Sequence, residues 1–164
     1  MSAEVGIDLI DPKDVGTIAH LHNEIFRPER TPERIARRLE GRKNVLVLGA
    51  RVKNEAIGFY VGFELKPATH FAWMVGVRQD WRRQQVATRL MEYAAQWAAG
   101  QGHNTMRFEC HNGHRAILHF GISAGYEIVG MRWDLDSGQN LVIFEKLVGH
   151  GGPEDMGEPG GAAG

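Results

Sequence analysis

The sequence contains little that would cross-link it or anchor it in a membrane. Cys110 is its single cysteine, so no disulfide can form within the chain, which fits a reducing compartment. No apolar run approaches the roughly 20 residues needed to cross a bilayer. The first residues also lack the basic start and apolar core of a secretion signal. We therefore expect a cytoplasmic protein with no membrane partner.

The chain also lacks an excess of charge of either sign. Its 164 residues carry a formal net charge of -1, with 43% hydrophobic and 24% charged residues. This balance is typical of a soluble globular protein and offers no electrostatic attraction for nucleic acid. The length suits one domain, and we expect no nucleic-acid partner.

The end of the chain, residues 149–164, lacks aromatic side chains. It is rich in glycine and also contains proline and acidic residues, so it cannot bury enough apolar surface to offset the entropy lost on ordering. The sequence therefore predicts a single domain over residues 1–148 and a Gly-rich, acidic, flexible tail over residues 149–164.

Periodic apolar positions divide the domain into strands and helices. The predicted strands are Gly6–Leu9, Asn44–Arg51, Ala56–Leu65, His70–Arg78, Thr105–Cys110, Tyr126–Asp136 and Gln139–Leu147. The predicted helices open at Asp11-Pro12, at Thr31-Pro32, near Gln85 and near His114. On the fourth strand we expect one continuous face formed by Phe71, Trp73, Val75 and Val77.

The resulting order is β-α-α-β-β-β-α-β-α-β-β. Its central strand-helix-strand unit requires a parallel pair of strands, while the flanking hairpins require antiparallel neighbours. The sequence therefore predicts an α/β fold with a mixed sheet flanked by helices.

An apolar strand that runs directly into a helix forms the first candidate site. The strand ends at Arg78, and a short polar connection containing Arg82 and Arg83 leads to the helix. The first turn of a helix presents backbone N–H groups and a positive dipole, so it binds phosphate without a particular side chain. Small Ala87 and Thr88 keep this turn narrow, and the arginines add charge. Taken alone, the segment fits a solvated basic turn as well as an anion site.

A second set of positions follows the next strand and continues a series that begins at the turn already described. In order along the chain come Arg82-x-x-Gln85-x-Ala87, then Asn112, Ala116 and Gly125-Tyr126. This series resembles the GNAT superfamily of N-acetyltransferases, in which an Arg/Gln-x-x-Gly-x-Gly/Ala turn follows the fourth strand and an Asn follows the fifth. The element order also fits, so the resemblance covers residues 1–147.

The resemblance implies a mostly antiparallel sheet in which the fourth and fifth strands splay apart, with acetyl-CoA as cosubstrate. It implies that the backbone of Val75 and Val77 pairs with the pantetheine arm and that the amides of residues 83–88 hold the pyrophosphate. The implied cofactor-binding residues are Val75, Val77, Arg82, Arg83, Gln84, Gln85, Val86, Ala87, Thr88, Asn112, Ala116 and Phe120.

Two positions depart from the family pattern. Gln85 replaces a glycine, and we expect it to be helical with its N–H available, because a positive φ would cost on the order of 1 kcal/mol. Many family members carry, four residues before the closing glycine, a tyrosine that protonates the departing thiolate, but this chain has Gly121 there. The general acid is therefore unassigned, with His119, a water or no dedicated acid all open.

An alkylammonium must lose a proton before it attacks a thioester, so a base is needed near the splay. Glu109, at the end of the fifth strand, is the predicted catalytic base, and His70 is the second candidate. Glu64 and His111 are weaker candidates. The resemblance implies that Glu24, late in the first helix, lies where the family shapes its acceptor pocket. The cysteine and nearby histidines match no closed tetrahedral pattern, so we expect no metal.

The sequence therefore predicts an N-acetyltransferase that acts by direct attack of a small-molecule or peptide amine. The alternative is a catalytically silent module that binds acyl-CoA. Arg34, Arg37, Arg38 and Arg42 form a basic run on the second helix, either a solvated face or part of a site for an acidic substrate. The acceptor is not identified, and the oligomeric state, including a homodimer, stays open.

Overall fold

The structure, a computed structural model, describes residues 4–82 and 85–149. Its strands are β1 (Gly6–Leu9), β2 (Leu46–Val52), β3 (Glu55–Lys66), β4 (Thr69–Val77), β5 (Thr105–His111), β6 (Glu127–Asp134) and β7 (Gln139–Leu147). Its helices are α1 (Val15–Ile25), α2 (Pro32–Leu39), α3 (Val86–Gly100) and α4 (Arg115–Ser123), with a short 3-10 turn over Gln79–Trp81. Apart from this turn, the element order is the predicted one.

The strands form a seven-stranded sheet in the order β1-β2-β3-β4-β5-β7-β6. β4 and β5 are parallel, and every other pair of neighbours is antiparallel. The parallel pair arises because α3 crosses over the sheet between these two strands. The predicted α/β fold, with a mixed and mostly antiparallel sheet, is therefore confirmed.

Side-chain caps set where the first two helices begin. Thr31 caps α2 by accepting a 3.2 Å hydrogen bond from the amide of Arg34, in agreement with the sequence. α1 begins after Asp14 and not at Asp11-Pro12, because the Asp14 carboxylate accepts a 3.3 Å hydrogen bond from the amide of Thr17. The residue that caps α1 is therefore Asp14, which lies three residues before the amide that its carboxylate binds.

Each face of the sheet carries its own hydrophobic core. On the face covered by α3 and α4, the α3 face, Leu90 and Ala94 are fully buried against the sheet. On the α1–α2 face, Ile18 and Ile35 are fully buried against β2, β3 and β4. Removal of this apolar surface from water is the main term that holds the helices in place. The helices in turn fix the positions of the strand ends.

A β-bulge in β4 changes which side chains share a face. The pairing of β4 with β3 shifts between Ala72 and Met74, which leaves Trp73 as the extra residue. Trp73 packs with the core of the α1–α2 face, whereas Val75 packs with the core of the α3 face. The prediction of one continuous face over Phe71–Val77 is therefore wrong.

The described part of the chain ends just after β7. The amide of Val148 donates a 2.8 Å hydrogen bond to the carbonyl of Asn104, which ties this end to the start of β5. From residue 150 onwards, the tail predicted over residues 149–164 lies outside the described residues. Among the helices that the structure describes, none has the length and apolarity of a membrane span.

Candidate active site

The parallel strands β4 and β5 separate soon after they begin. They pair over three positions, the last of which joins Phe71 to Arg107, although β4 runs on to Val77 and β5 to His111. β5 stays paired with β7 along its whole length, so its carboxyl end leans away from β4. The predicted splay is confirmed, and a gap opens between the carboxyl ends of the two strands.

The backbone of β4 presents hydrogen-bonding groups to this gap at Val75 and Val77. The amide of Arg78 donates to the carbonyl of Ile57 at 2.8 Å, which makes Val77 a position whose own N–H and C=O point away from β3. Alternation along the strand gives Val75 the same orientation. The Val77 carbonyl accepts a 3.1 Å hydrogen bond from Nε of Arg82. Both residues therefore face the gap with their backbone polar groups.

The N-terminus of α3 follows the loop that leaves β4. In the described part of this region no side chain caps the helix, and the first turn contains no acidic residue. The first N–H groups of a helix, here those of Val86, Ala87 and Thr88, have no carbonyl partner inside the helix. A positively polarised helix end without its own carboxylate suits the binding of phosphate.

Gln85 enters α3 in a left-handed backbone conformation, with φ 60° and ψ 21°. The expectation that Gln85 is simply helical is therefore wrong. This conformation costs a residue with a side chain on the order of 1 kcal/mol, whereas glycine adopts it freely. The Gln85 carbonyl still accepts the first helical hydrogen bond, from the amide of Arg89 at 3.0 Å. The chain thus keeps the backbone shape of a glycine turn without the glycine.

The remaining predicted phosphate ligands lie in the loop itself. Arg82 is exposed, and its Nε donates to the carbonyl of Val77. The four N–H donors on its two terminal nitrogens take no part in this hydrogen bond. Arg83 and Gln84 lie outside the described residues. Their predicted contacts with the cosubstrate stay predictions.

The other side of the gap is formed by the end of β5 and the start of α4. Asn112 is exposed and its amide donates a 3.1 Å hydrogen bond to the carbonyl of Asn140. Ala116 is exposed in the first turn of α4, while Phe120 is half-buried, its ring 6.1 Å from that of Phe108. The start of α4 therefore lies at the same edge of the parallel pair as the end of β4.

Gly121 occupies the position where the family pattern carries a tyrosine. A Cβ placed on it would lie 2.7 Å from the ring of Phe144 and 2.9 Å from that of Phe108. Gly121 is buried, so α4 rests on β5 and β7 at a distance that excludes any larger side chain. The missing hydroxyl thus has a packing cause.

Glu109 lies on β5 and both oxygens of its carboxylate are engaged. Oε1 is 3.0 Å from Arg107, and Oε2 is 2.8 Å from Arg132. The hydrogen bond that Arg132 donates to the Glu109 carboxylate raises the pKa of Arg132. The role of Glu109 as a base stays a prediction.

His70 lies at the end of β4 that is distant from the gap. Its side chain is fully buried, and its Nε2 is 2.7 Å from the hydroxyl of Tyr60. Burial, with a smaller effect of the neighbouring His103, lowers the pKa of His70 to about 4. Val75 is five residues further along β4, or roughly 17 Å. The geometry therefore argues against the predicted catalytic role of His70 and assigns it to the core.

His111 ends β5 in a cluster that the sequence did not reveal. The Ser137 hydroxyl donates to Asp134 at 2.6 Å, and its oxygen lies 3.1 Å from Nε2 of His111. Because the only hydroxyl proton of Ser137 goes to Asp134, Nε2 of His111 supplies the hydrogen of the second contact, and Nδ1 keeps its lone pair. Asp134 lies 3.7 Å from the same imidazole nitrogen. This histidine therefore has an oriented ring and a basic nitrogen.

Cys110 is buried, and burial raises the pKa of its thiol. A buried thiol in its protonated form is a poor nucleophile. Within residues 4–82 and 85–149, no group of three or more His, Cys, Asp or Glu side chains is arranged to hold a metal ion.

A cavity of about 260 Å³ adjoins the loop between β4 and α3. It contains Glu24, which the sequence suggested for the acceptor region and which pairs with His20 at 3.1 Å. Its lining consists of Glu24, Ile25, Arg78, Gln79, Asp80 and Arg82. The cavity is smaller than most ligand pockets, which span about 300–1,000 Å³, so the gap is the better candidate site.

Comparison with known proteins identifies the class that this fold and gap define. Residues 15–126, more than half of the chain, match the sequence model of the Acetyltransferase (GNAT) family. The matched region contains the gap, the β4–α3 loop and α4. The protein belongs to the GNAT family of acetyltransferases. A search of curated proteins finds no match.

Solved structures share the fold at low sequence identity. The ribosomal-protein-S18-alanine N-acetyltransferase from Escherichia coli has a TM-score of 0.76 and 15% identity, over 91% of this chain and 97% of that one. The IAA acetyltransferase from Bacillus cereus has a TM-score of 0.74 and 18% identity, over 88% and 100%. Ard1 from Thermoplasma volcanium has a TM-score of 0.72 and 19% identity, over 88% and 97%. These likenesses establish the fold alone.

Proposed function

We propose that this protein transfers the acetyl group of acetyl-CoA to a primary amine, of a small molecule or a peptide, by direct attack. The observation that carries the proposal is the gap between β4 and β5, with the uncapped N-terminus of α3 at the end of the adjoining loop. The gap suits an extended arm that adds to a strand edge, and the helix end suits a phosphate. Membership of the family supports the reaction class.

Backbone groups and one arginine provide most of the binding in this proposal. Val75 binds the pantetheine arm through its amide and carbonyl and Val77 through its amide, in the manner of an added strand, while the Val77 carbonyl accepts from Arg82. The α3 amides bind the pyrophosphate, and Arg82 contributes charge-assisted hydrogen bonds. The opposite side of the arm contacts Asn112, Ala116 and Phe120. The loop residues Arg83, Gln84 and Gln85 bind the cosubstrate as well in this proposal.

When bound, acetyl-CoA supplies a thioester whose carbonyl carbon the amine attacks, so that a C–N bond forms, the C–S bond breaks and a thiolate leaves. The surplus proton of the amine needs an acceptor on the protein. We assign this role to Nδ1 of His111, whose ring is oriented by Ser137 and Asp134. Glu109 is the alternative, because a carboxylate has lone pairs beyond those that two arginines use.

A second candidate function is a module that binds acyl-CoA without transferring the acyl group. Two observations favour it: the left-handed Gln85, which strains the phosphate turn, and Gly121, where packing excludes a hydroxyl-bearing side chain. The first candidate is preferred because a thiolate is a good leaving group and a dedicated acid helps its departure without being required.

Two measurements on the full-length protein separate these functions. Calorimetry with acetyl-CoA measures binding, and release of free thiol in the presence of a panel of primary amines measures transfer. We expect both binding and amine-dependent thiol release, with a mass increase of one acetyl group on the amine. Binding without turnover over the whole panel would support the silent module. A failure to bind acetyl-CoA would refute both.

A further inference from the structure

Three arginines of the α1–α2 face stack on two aromatic side chains of β3 and β4. The guanidinium carbon of Arg30 lies 5.5 Å from the centre of the Trp73 ring, and that of Arg38 lies 5.6 Å from the same ring. Arg38 is also 5.2 Å from the Phe63 ring, and Arg42 is 4.6 Å from it. Cation–π contacts of this kind orient a guanidinium group and leave its charge uncompensated.

Carboxylates of the described chain do not neutralise these three groups. Among residues 4–82 and 85–149, none of the three guanidinium groups forms an ion pair. The charges of Asp136 and Glu109 act on Arg30 and Arg38, respectively, without forming an ion pair with them, and Glu109 is held by Arg107 and Arg132. Burial, followed by the positive charge of Arg42, lowers the pKa of Arg38. The arginines therefore form a positive, partly solvated site that can bind an anion through charge-assisted hydrogen bonds.

The position of Trp73 places this site next to the reaction centre. Trp73 is the bulge residue of β4 and packs on the α1–α2 face, whereas α3 packs on the opposite face. A cosubstrate held by α3 enters the gap from the α3 face, which leaves the α1–α2 face to the acceptor. Val75 is two residues beyond Trp73, or roughly 7 Å along the strand.

We propose that the acceptor is an amine that also carries a carboxylate or phosphate group, and that Arg38, flanked by Arg30 and Arg42, binds this anion. The proposal rests on the proposed function and names the substrate class for the same site. The guanidinium groups lie over the Trp73 ring, and Val75 is two residues further along β4, so the amine and the anion must be separated by several bonds. An ω-amino acid with a chain of several carbons has this shape.

The geometry distinguishes these arginines from the rest of the basic run. Arg34 and Arg37 lie on the same helix as Arg38 but are exposed. Within the described structure, neither stacks on an aromatic ring. They form the solvated part of the run. Arg37 therefore serves as a matched control for Arg38, with the same side chain on the same helix.

The test compares charged and neutral acceptors of equal length. Thiol release is measured with 4-aminobutyrate and 6-aminohexanoate and with the neutral amide of each. We expect kcat/KM to be about 10- to 100-fold higher for the acids, because a hydrogen bond between charged groups contributes about 1.5–3 kcal/mol. R38Q should remove this preference through KM, R38K should restore part of it, and R37Q should keep it.

Binding of the anion is measured separately, without turnover. Glutarate, a dicarboxylate with no amine, should inhibit competitively against 6-aminohexanoate in the parent and lose this effect in R38Q. Equal kcat/KM for acids and amides, or inhibition unchanged in R38Q, would overturn the proposal while leaving the acetyltransferase function intact. Acetyl-CoA binding without any thiol release would instead reject the function, and the glutarate site would then be sought by calorimetry, where equal affinity for parent and R38Q would reject it too.

Discussion

Gly121 of α4 lies against the ring of Phe144, at a distance where an added Cβ would approach to 2.7 Å. Contacts this short are far inside the ordinary van der Waals range, so α4 can lie on β7 only because residue 121 has no side chain. The same contact removes the site of a general acid.

We predict that Gly121→Ala destabilises the protein by about 1–3 kcal/mol, because overpacking outweighs the better helix propensity of alanine. The measurement is urea unfolding followed by circular dichroism. Gly100→Ala is the matched control, since Gly100 is also helical and has nothing within 4 Å of an added Cβ. A neutral or stabilising Gly121→Ala would contradict the packing described here.

Gln85 gives the second prediction. Gln85→Gly should stabilise the protein by about 0.5–1 kcal/mol, because relief of the left-handed strain exceeds the added entropy of glycine in the unfolded chain. Gln101→Gly is the control, since Gln101 has a φ of -87° and gains nothing from glycine. Urea unfolding measures both. If Gln85→Gly lost stability to the same extent as Gln101→Gly, the left-handed assignment would be wrong.

The third prediction concerns stability and pH. The pKa of His70 is about 4 in the folded protein, against 6.5 for the unconstrained side chain. As the pH falls below 6.5 the unfolded chain takes up a proton that the folded protein accepts only near pH 4, so folding is progressively disfavoured. Up to roughly 3 kcal/mol of stability is therefore lost between these pH values.

Urea unfolding at several pH values from 7.5 to 4 checks this expectation. His70→Gln should flatten the loss over this window, whereas His20→Gln should keep it, because the His20 side chain is 71% exposed. The same pH slope in the parent and His70→Gln would show that other groups cause the loss.

The fourth prediction separates the two candidate proton acceptors. His111→Gln should lower kcat/KM by about 10²- to 10⁴-fold, the usual contribution of a general base, and should remove the acidic limb of the pH–rate profile, where protonation of the base lowers the rate. Asp134→Asn should act in the same direction with a smaller effect, because it orients the ring without accepting the proton. Steady-state kinetics across pH provides the measurement.

Glu109→Gln is the comparison for His111. It should lower stability, because it leaves the largely buried Arg107 and the exposed Arg132 without their shared carboxylate, and it should leave the shape of the pH–rate profile unchanged. If instead Glu109→Gln removed the pH dependence and His111→Gln did not, the base would be Glu109.

The fold was predictable because each element carries its own local signal. Alternating and helical apolar periods located the strands and helices, and Thr31 marked the start of α2 through a contact three residues away. The parallel pair followed from connectivity alone. The start of α1 was misplaced because two nearby acids, Asp11 and Asp14, competed for the role of cap.

Features that depend on distant contacts were not predictable. The bulge at Trp73 arises from pairing with β3, and it reversed the face of every later residue in β4. The His111 cluster forms only when the β6–β7 hairpin brings Ser137 to the end of β5. The stacked arginines likewise require α2 to lie over Phe63 and Trp73, so their sequence reads as a plain basic run.

The short pairing of β4 with β5 also divides the sheet into two leaves, β1–β4 and β5–β7, hinged where Phe71 meets Arg107. Few backbone hydrogen bonds join the leaves beyond that hinge, so the distance between them depends on what fills the gap between β4 and β5. A pantetheine arm that is hydrogen-bonded to one leaf and packed against the other would hold the two leaves at a fixed separation. Occupancy would then raise the melting temperature and slow amide hydrogen exchange in both leaves at once.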